Sequence, residues 1–264
     1  MNPATARRRM DLPAGDAVLD VIQEGQGPAV VLLPSSLRDS LDFDPLAQAL
    51  AQAGFAVLRP QPRGMGRSSP PPPGMTLATL AADVAHVIEQ LAEGPAVVVG
   101  HAYGHWVARV TDHLHPAQVR GVVALGAGAR VFPAGVGDAL ATASDPALPR
   151  EDRLAALRWA MFAPGNDPSP WLEGWYPQWR SAYRAAAQTP PQALWWDHSH
   201  APLLDLQGAQ DRWRPEATRD DLRRVLGARV TVRQIDQAGH ALVPEQPLAI
   251  AQAVSEWAQQ IGHR

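Results

Sequence analysis

The chain has 264 residues, 46% apolar and 19% charged, enough to bury a full core and too mixed for a membrane span or a disordered polymer. Its 23 basic residues are all Arg and are balanced by 26 acidic ones, a formal charge of −3 that gives no footprint for nucleic acid or an anionic membrane. With no Cys, disulfides, thiolate metal sites and a cysteine nucleophile are excluded, and a cytoplasmic location is expected.

Near the start, Arg7-Arg8-Arg9 is followed by no apolar stretch, so an edge strand through Met10-Asp11-Leu12 is expected there, not an export signal. Ala17 to Ile22 and Ala29 to Leu33 are strand-like runs joined by Gly25-Gln26-Gly27-Pro28, and together they read as a hairpin. Phe43 to Ala53 has helical spacing. Phe55 to Leu58 is a further apolar strand, and it runs into the Gly- and Pro-rich loop Arg59 to Ser68. A helix from Thr76 to Leu91 leads to the strand Ala96 to Val99, then to Gly100-His101-Ala102-Tyr103-Gly104 and a helix reaching His115.

Strands follow at Gly121 to Leu125, Pro202 to Leu206 and Val230 to Arg233, the last two each with a helix behind it. Alternating strands and helices predict an α/β fold with a doubly wound, mostly parallel sheet. Positions 126–201 show no strand pattern and are too long for a simple crossover. The expected organisation is therefore a core of residues 1–127 and 199–264 with a helical cap, 128–198, inserted in it. Six tryptophans fall in this stretch, namely Trp159, Trp171, Trp175, Trp179, Trp195 and Trp196. Most are expected to build the cap's own core, with Trp159, Trp175 and Trp179 as candidates to line an apolar pocket.

The segment around Ala102 has the form of a nucleophile elbow, in which glycines flank a reactive residue because the turn is strained and strand and helix approach closely. Gly100 and Gly104 have that spacing and that context, strand before and helix after. Several segments together resemble the α/β-hydrolase superfamily, of the capped esterase, lactonase and epoxide-hydrolase kind. Pro60 to Ser68 is similar to the family's loop after its fourth strand, with Gln61 where Asp is frequent. Val30 to Ser36 is similar to its strand and oxyanion loop, with Pro34-Ser35 where His-Gly is usual.

The resemblance implies site residues in the family's order along the chain: position 102, then an acid, then a histidine. Gly208-Ala209-Gln210-Asp211 is similar to the segment that supplies the acid, although Asp211 also suits a turn or helix cap, and Asp205 is a weaker rival. Gln237-Ala238-Gly239-His240 is similar to the loop that presents the base. The oxyanion donors would be the backbone N–H groups of Ser36 and Tyr103. Ser35, His101 and His105 are candidate substrate contacts.

Alanine at position 102 cannot attack a carbonyl. Two origins are open: a serine replaced in this chain, or a natural alanine. On either, the expected activity is hydrolysis of a small or medium apolar ester, lactone or related acyl substrate. The alternatives are a serine-independent enzyme (lyase, cofactor-free oxygenase or water-activating hydrolase) using Asp211 and His240 as a general base, and a small-molecule binding protein without chemistry. Ser35 and Ser36 lack elbow geometry as nucleophiles. Neither His101 with His105 nor His198 with His200 has the accompanying Glu of a zincin helix, so no metal is expected. No cofactor is expected either, and a homodimer is left open.

Overall fold

The apolar runs become the centre of one sheet. In the computed structural model, which describes residues 6–262, the strands are β1 (Arg8–Ala14), β2 (Ala17–Glu24), β3 (Ala29–Leu33), β4 (Ala56–Pro60), β5 (Ala96–His101), β6 (Val119–Leu125), β7 (Leu203–Gly208) and β8 (Val230–Ile235). Their order across the sheet is β1-β2-β4-β3-β5-β6-β7-β8. From β4 to β8 every neighbour is parallel, and β2 is antiparallel to both β1 and β4. Every residue of β3, β4, β5 and β7 is buried, as strands covered by helices on both faces must be.

The helices are α1 (Asp44–Gln52), α2 (Leu77–Leu91), α3 (Tyr103–Leu114), α4 (Val136–Ala143), α5 (Arg150–Ala160), α6 (Arg180–Ala186), α7 (Gln192–Trp195), α8 (Asp221–Leu226), α9 (Leu242–Glu245) and α10 (Pro247–Gly262). Leu46 and Leu50 of α1 share one core layer with Ile250, Val254 and Trp257 of α10. Leu80 and Val84 of α2, Val107 and Val110 of α3 and Leu222 of α8 fill the layer on the opposite face. Thr76 starts α2 with a capping box, its side chain exchanging hydrogen bonds with Thr79. Among the described residues no helix is long and apolar enough to cross a membrane.

The hairpin expected between Ala17–Ile22 and Ala29–Leu33 is not formed. β2 turns back on β1 through the two-residue loop Gly15-Asp16, with Ala14 opposite Ala17, and β4 lies between β2 and β3. The reason lies in the Gly25 turn: a Cβ on Gly25 would sit 2.2 Å from the Phe55 carbonyl. That turn carries the chain across the start of β4 and does not fold β3 back on β2.

Residues 126–201 contain α4 to α7 and no strand. Val136, Leu154, Leu157, Phe162, Trp171 and Leu172 of this segment form a core of their own, closed by Trp213 and Ala241 from the loops after β7 and β8. Trp195 and Trp196 behave differently from the expectation. They are buried in the main core on the α2 and α3 face, where Arg109 lies 5.5 and 5.1 Å from the two ring centroids and donates to the main-chain oxygens of both residues.

Candidate active site

The site starts from the turn between β5 and α3. Ala102 holds φ 47° and ψ −114°, outside the wells open to most residues with a Cβ. The turn is held by Ala102 N–H donating to Leu125 O at 3.0 Å and His105 N–H donating to Ala102 O at 3.0 Å. Both glycines are sterically required. A Cβ on Gly100 would lie 2.2 Å from Gly104 O, and one on Gly104 would lie 2.3 Å from Leu33 O. The side chain at 102 is thereby placed at the C-terminal edge of the sheet, where doubly wound folds bind ligands. Tyr103 N–H opens α3, and a first-turn N–H has no partner inside its own helix. Ser36, half-buried, follows the end of the neighbouring strand β3.

Asp211 and His240, 29 residues apart, meet as the sequence predicts. His240 Nδ1 and Asp211 Oδ2 are 3.0 Å apart, with both residues buried. A carboxylate oxygen only accepts, so Nδ1 carries the proton and Nε2 is left as the basic nitrogen. Asp211 Oδ1 accepts from Trp213 N–H at 2.8 Å, so the same carboxyl also closes its own turn. The two readings of Asp211, helix or turn cap and partner of the base, are therefore compatible. Asp205 pairs instead with Arg214, at 3.0 Å. Burial pushes its carboxyl up to about 6.

Three further groups fix His240 and its loop, and sequence reasoning missed two of them, Trp213 and Glu245. The Trp213 ring stacks on the imidazole, with centroids 4.7 Å apart and planes 19° apart. Glu245 accepts from Gly239 N–H at 2.7 Å, Ala163 N–H at 2.7 Å and Asn166 Nδ2 at 2.6 Å, which ties the histidine loop to the end of α5. Trp171 lies 6.1 Å from the ring of His101. His101 itself donates from Nε2 to the His240 main-chain oxygen at 2.7 Å. Trp213 stands two residues after Asp211 and Glu245 five after His240, a proximity in sequence that was the available signal.

His101 and His105 were expected to touch substrate, and the structure corrects this. Each is almost fully buried and bonded to main chain: His101 to His240 O, His105 through Nδ1 to Ala102 O. Burial, reinforced by the nearby His240, lowers His101 to about 3, and burial with the Arg109 charge pushes His105 far below the ordinary histidine range. Both are neutral braces of the elbow. The three tryptophans named as pocket candidates each have partners within the protein. Trp159 is 42% exposed on α5, with Arg212 lying 5.4 Å from its ring centroid. Trp175 donates to Trp171 O and, with Trp171, flanks the Arg38 guanidinium at 4.6 and 4.5 Å. Trp179 donates to Gly64 O at 2.9 Å. An indole N–H that leaves water needs an acceptor, and for Trp175 and Trp179 a main-chain carbonyl provides it. Ser35 lines a cavity beside the elbow.

Strained turn, acid and base converge on one end of a parallel sheet, and the proteins built this way are α/β hydrolases. The model of the Alpha/beta hydrolase family matches residues 30–253, and the chain belongs to that family. It is 33% identical over 118 residues to 2-(acetamidomethylene)succinate hydrolase of Mesorhizobium japonicum, covering 45% of this chain and 41% of that protein. It is 36% identical over 111 residues to epoxide hydrolase B of Mycobacterium tuberculosis, covering 41% of this chain and 31% of that one. The matches thus span less than half the length of these curated relatives. An esterase from Exiguobacterium antarcticum superposes with a TM-score of 0.77 at 20% identity, over 96% of this chain and all of the other, a likeness that establishes the fold.

Proposed function

We propose that this is the site of a hydrolase of a small or medium apolar ester, lactone or related acyl compound, with Ala102 occupying the position from which a serine would attack. The observation that carries this is the contact between His240 Nδ1 and Asp211 Oδ2 at 3.0 Å, on the same sheet edge as a turn whose strain serves no purpose in an ordinary strand-to-helix connection. The helical segment 128–198 acts in this reading as a cap over the substrate. Relatives carrying hydrolase names and an esterase of the same fold support the class.

With serine at 102, the route is as follows. His240 Nε2 takes the hydroxyl proton while Oγ bonds to the acyl carbon, and the oxyanion meets Tyr103 N–H and Ser36 N–H. Collapse breaks the bond to the leaving alkoxide, which takes the proton from His240. Water then repeats the two steps and frees the acid. The test is Ala102→Ser, assayed on p-nitrophenyl esters and with a fluorophosphonate label. Turnover with label at residue 102 is expected, and a serine variant that does neither refutes the proposal.

Ala102 itself supports a second reading, because the chain as it stands offers no hydroxyl at the elbow. The Asp211 and His240 pair would then draw a proton from water or from an acidic substrate carbon. That reading requires activity in the present chain that His240→Ala abolishes, and unchanged activity in the variant refutes it.

A further inference from the structure

The loop that follows β3 carries Ser36, whose N–H is the proposed oxyanion donor, and its backbone is strained. Ser35 O accepts from Arg38 N–H at 3.3 Å, closing a four-residue turn in which Leu37 stands third with φ 60°. A positive φ at that place in a turn suits Gly or Asn. A bulky residue stays there only where its surroundings impose the conformation. Relaxing Leu37 to negative φ would reorient the peptide it shares with Ser36.

The constraint comes from the helical segment between β6 and β7. Leu37 O accepts from Tyr176 N–H at 2.9 Å, and Arg38 pairs with Trp175 in an isolated antiparallel bridge. The Arg38 side chain is buried, and every guanidinium nitrogen has an acceptor. Nε and Nη2 donate to the two oxygens of Asp42, and Nη1 donates to Glu173 O at 2.9 Å. The Trp171 and Trp175 rings lie 4.5 and 4.6 Å from the guanidinium carbon. Only a planar fork that stays charged can meet a carboxylate, a carbonyl and two aromatic rings at once.

The same stretch of chain also holds the base. Ala160 O accepts from Trp213 Nε1 at 3.0 Å, Met161 O accepts from Ala241 N–H at 2.8 Å, and Asn166 Nδ2 donates to Gln237 O at 2.9 Å. Residues 160–176 are therefore a strap with the acid and base loops at one end and the loop of Ser36 at the other. Resting on the ester-hydrolase reading, we infer that Arg38 is a positioning residue. Through Leu37 it fixes Ser36, and through Glu173, Trp171 and Trp175 it sets that donor against His240. Its effect falls where charge develops on the oxyanion in the transition state, and not on ground-state binding.

The experiment measures p-nitrophenyl butyrate hydrolysis by Ala102→Ser with and without Arg38. Arg38→Met is expected to lower kcat about 10- to 100-fold while KM stays within about threefold, the signature of a displaced transition-state contact. Arg38→Lys keeps a charge beside Asp42 and so guards against misfolding, but one ammonium replaces the fork and the loss of kcat persists. Arg63→Met is the control. Arg63 is also buried and pairs with both oxygens of Asp83 at 2.6 and 2.8 Å, yet among the described residues its side chain bonds to none of residues 34–39, so kcat should stay within about twofold. Hydrogen exchange in the protein as it stands, with Ala102, checks the clamp without any chemistry. The Tyr176 amide that bonds to Leu37 O should exchange about 10-fold faster in Arg38→Lys. A loss of kcat no larger than in Arg63→Met, a loss confined to KM, or unchanged Tyr176 exchange overturns the inference. An Ala102→Ser parent that neither turns over esters nor takes the fluorophosphonate label refutes the hydrolase reading and the positioning role with it, whereas an active parent indifferent to Arg38 refutes the positioning role alone.

Discussion

Replacing Ala102 with glycine tests whether the elbow stores strain. With φ 47° and ψ −114°, a residue bearing a Cβ costs about 1–3 kcal/mol at this point relative to a relaxed conformation. Glycine removes most of that cost and brings back about 0.4–1 kcal/mol of freedom in the unfolded chain. The methyl is half-buried, so its loss subtracts little. Ala102→Gly is therefore expected to stabilise the protein by about 1 kcal/mol, a rise in Tm of roughly 2–4 °C for a chain of this size. Ala108→Gly, buried in the middle of α3, is the control, and it loses at least about 1 kcal/mol to helix propensity alone. Urea unfolding with equal m-values, checked by thermal melting, measures both. A destabilised Ala102→Gly refutes the strain argument, since the position would then be held by contacts of the methyl group and not in spite of it.

Asp211→Asn in the Ala102→Ser protein is expected to lower kcat by about 10⁴, because the amide no longer holds His240 in the tautomer that leaves Nε2 basic; ester turnover measures it. Glu245→Ala strands two main-chain N–H groups and the Asn166 amide, and a loss of about 2–4 kcal/mol in urea unfolding is expected. Gly104→Ala drives a Cβ to 2.3 Å from Leu33 O, and its urea midpoint should fall by the equivalent of about 3 kcal/mol or more, with little soluble protein. Burial raises Asp205 from 3.8 to about 6. Its contribution to stability is complete below 3.8 and is lost as pH rises through about 6. Asp205→Asn does not titrate, so the fall in urea midpoint across that window should flatten, and an identical slope in the variant contradicts the assignment.

Much of the fold was legible because its signals are local. A parallel strand buried on both faces must be apolar throughout, and Ala29–Leu33 and Ala96–Val99 could be little else. Gly100 and Gly104, with a strand before and a helix after, marked the elbow because only glycine fits where backbones nearly touch. Asp211 and His240 were found by their place after β7 and β8, which follows from chain order in this fold. Pairing was less legible. β2 and β3 adjoin in sequence yet are separated by β4, since any apolar strand can lie beside any other and the choice is made by the whole sheet.

The sequence by itself determined the apolar strands, the glycines of the elbow and the pairing of Asp211 with His240, because each follows from local patterning and chain order. Only the tertiary structure decided what the remaining polar and aromatic groups do. His101 and His105 looked like ligands of a substrate and are buried braces. Trp213 and Glu245 were not among the candidate site residues, yet one stacks on the His240 ring and the other anchors its loop. Gln61 looked like a variant of a loop residue, and its buried side chain holds Ser40 N–H through Oε1. A polar group's role is fixed by whether water, protein or ligand satisfies it, and that depends on neighbours brought from distant parts of the chain.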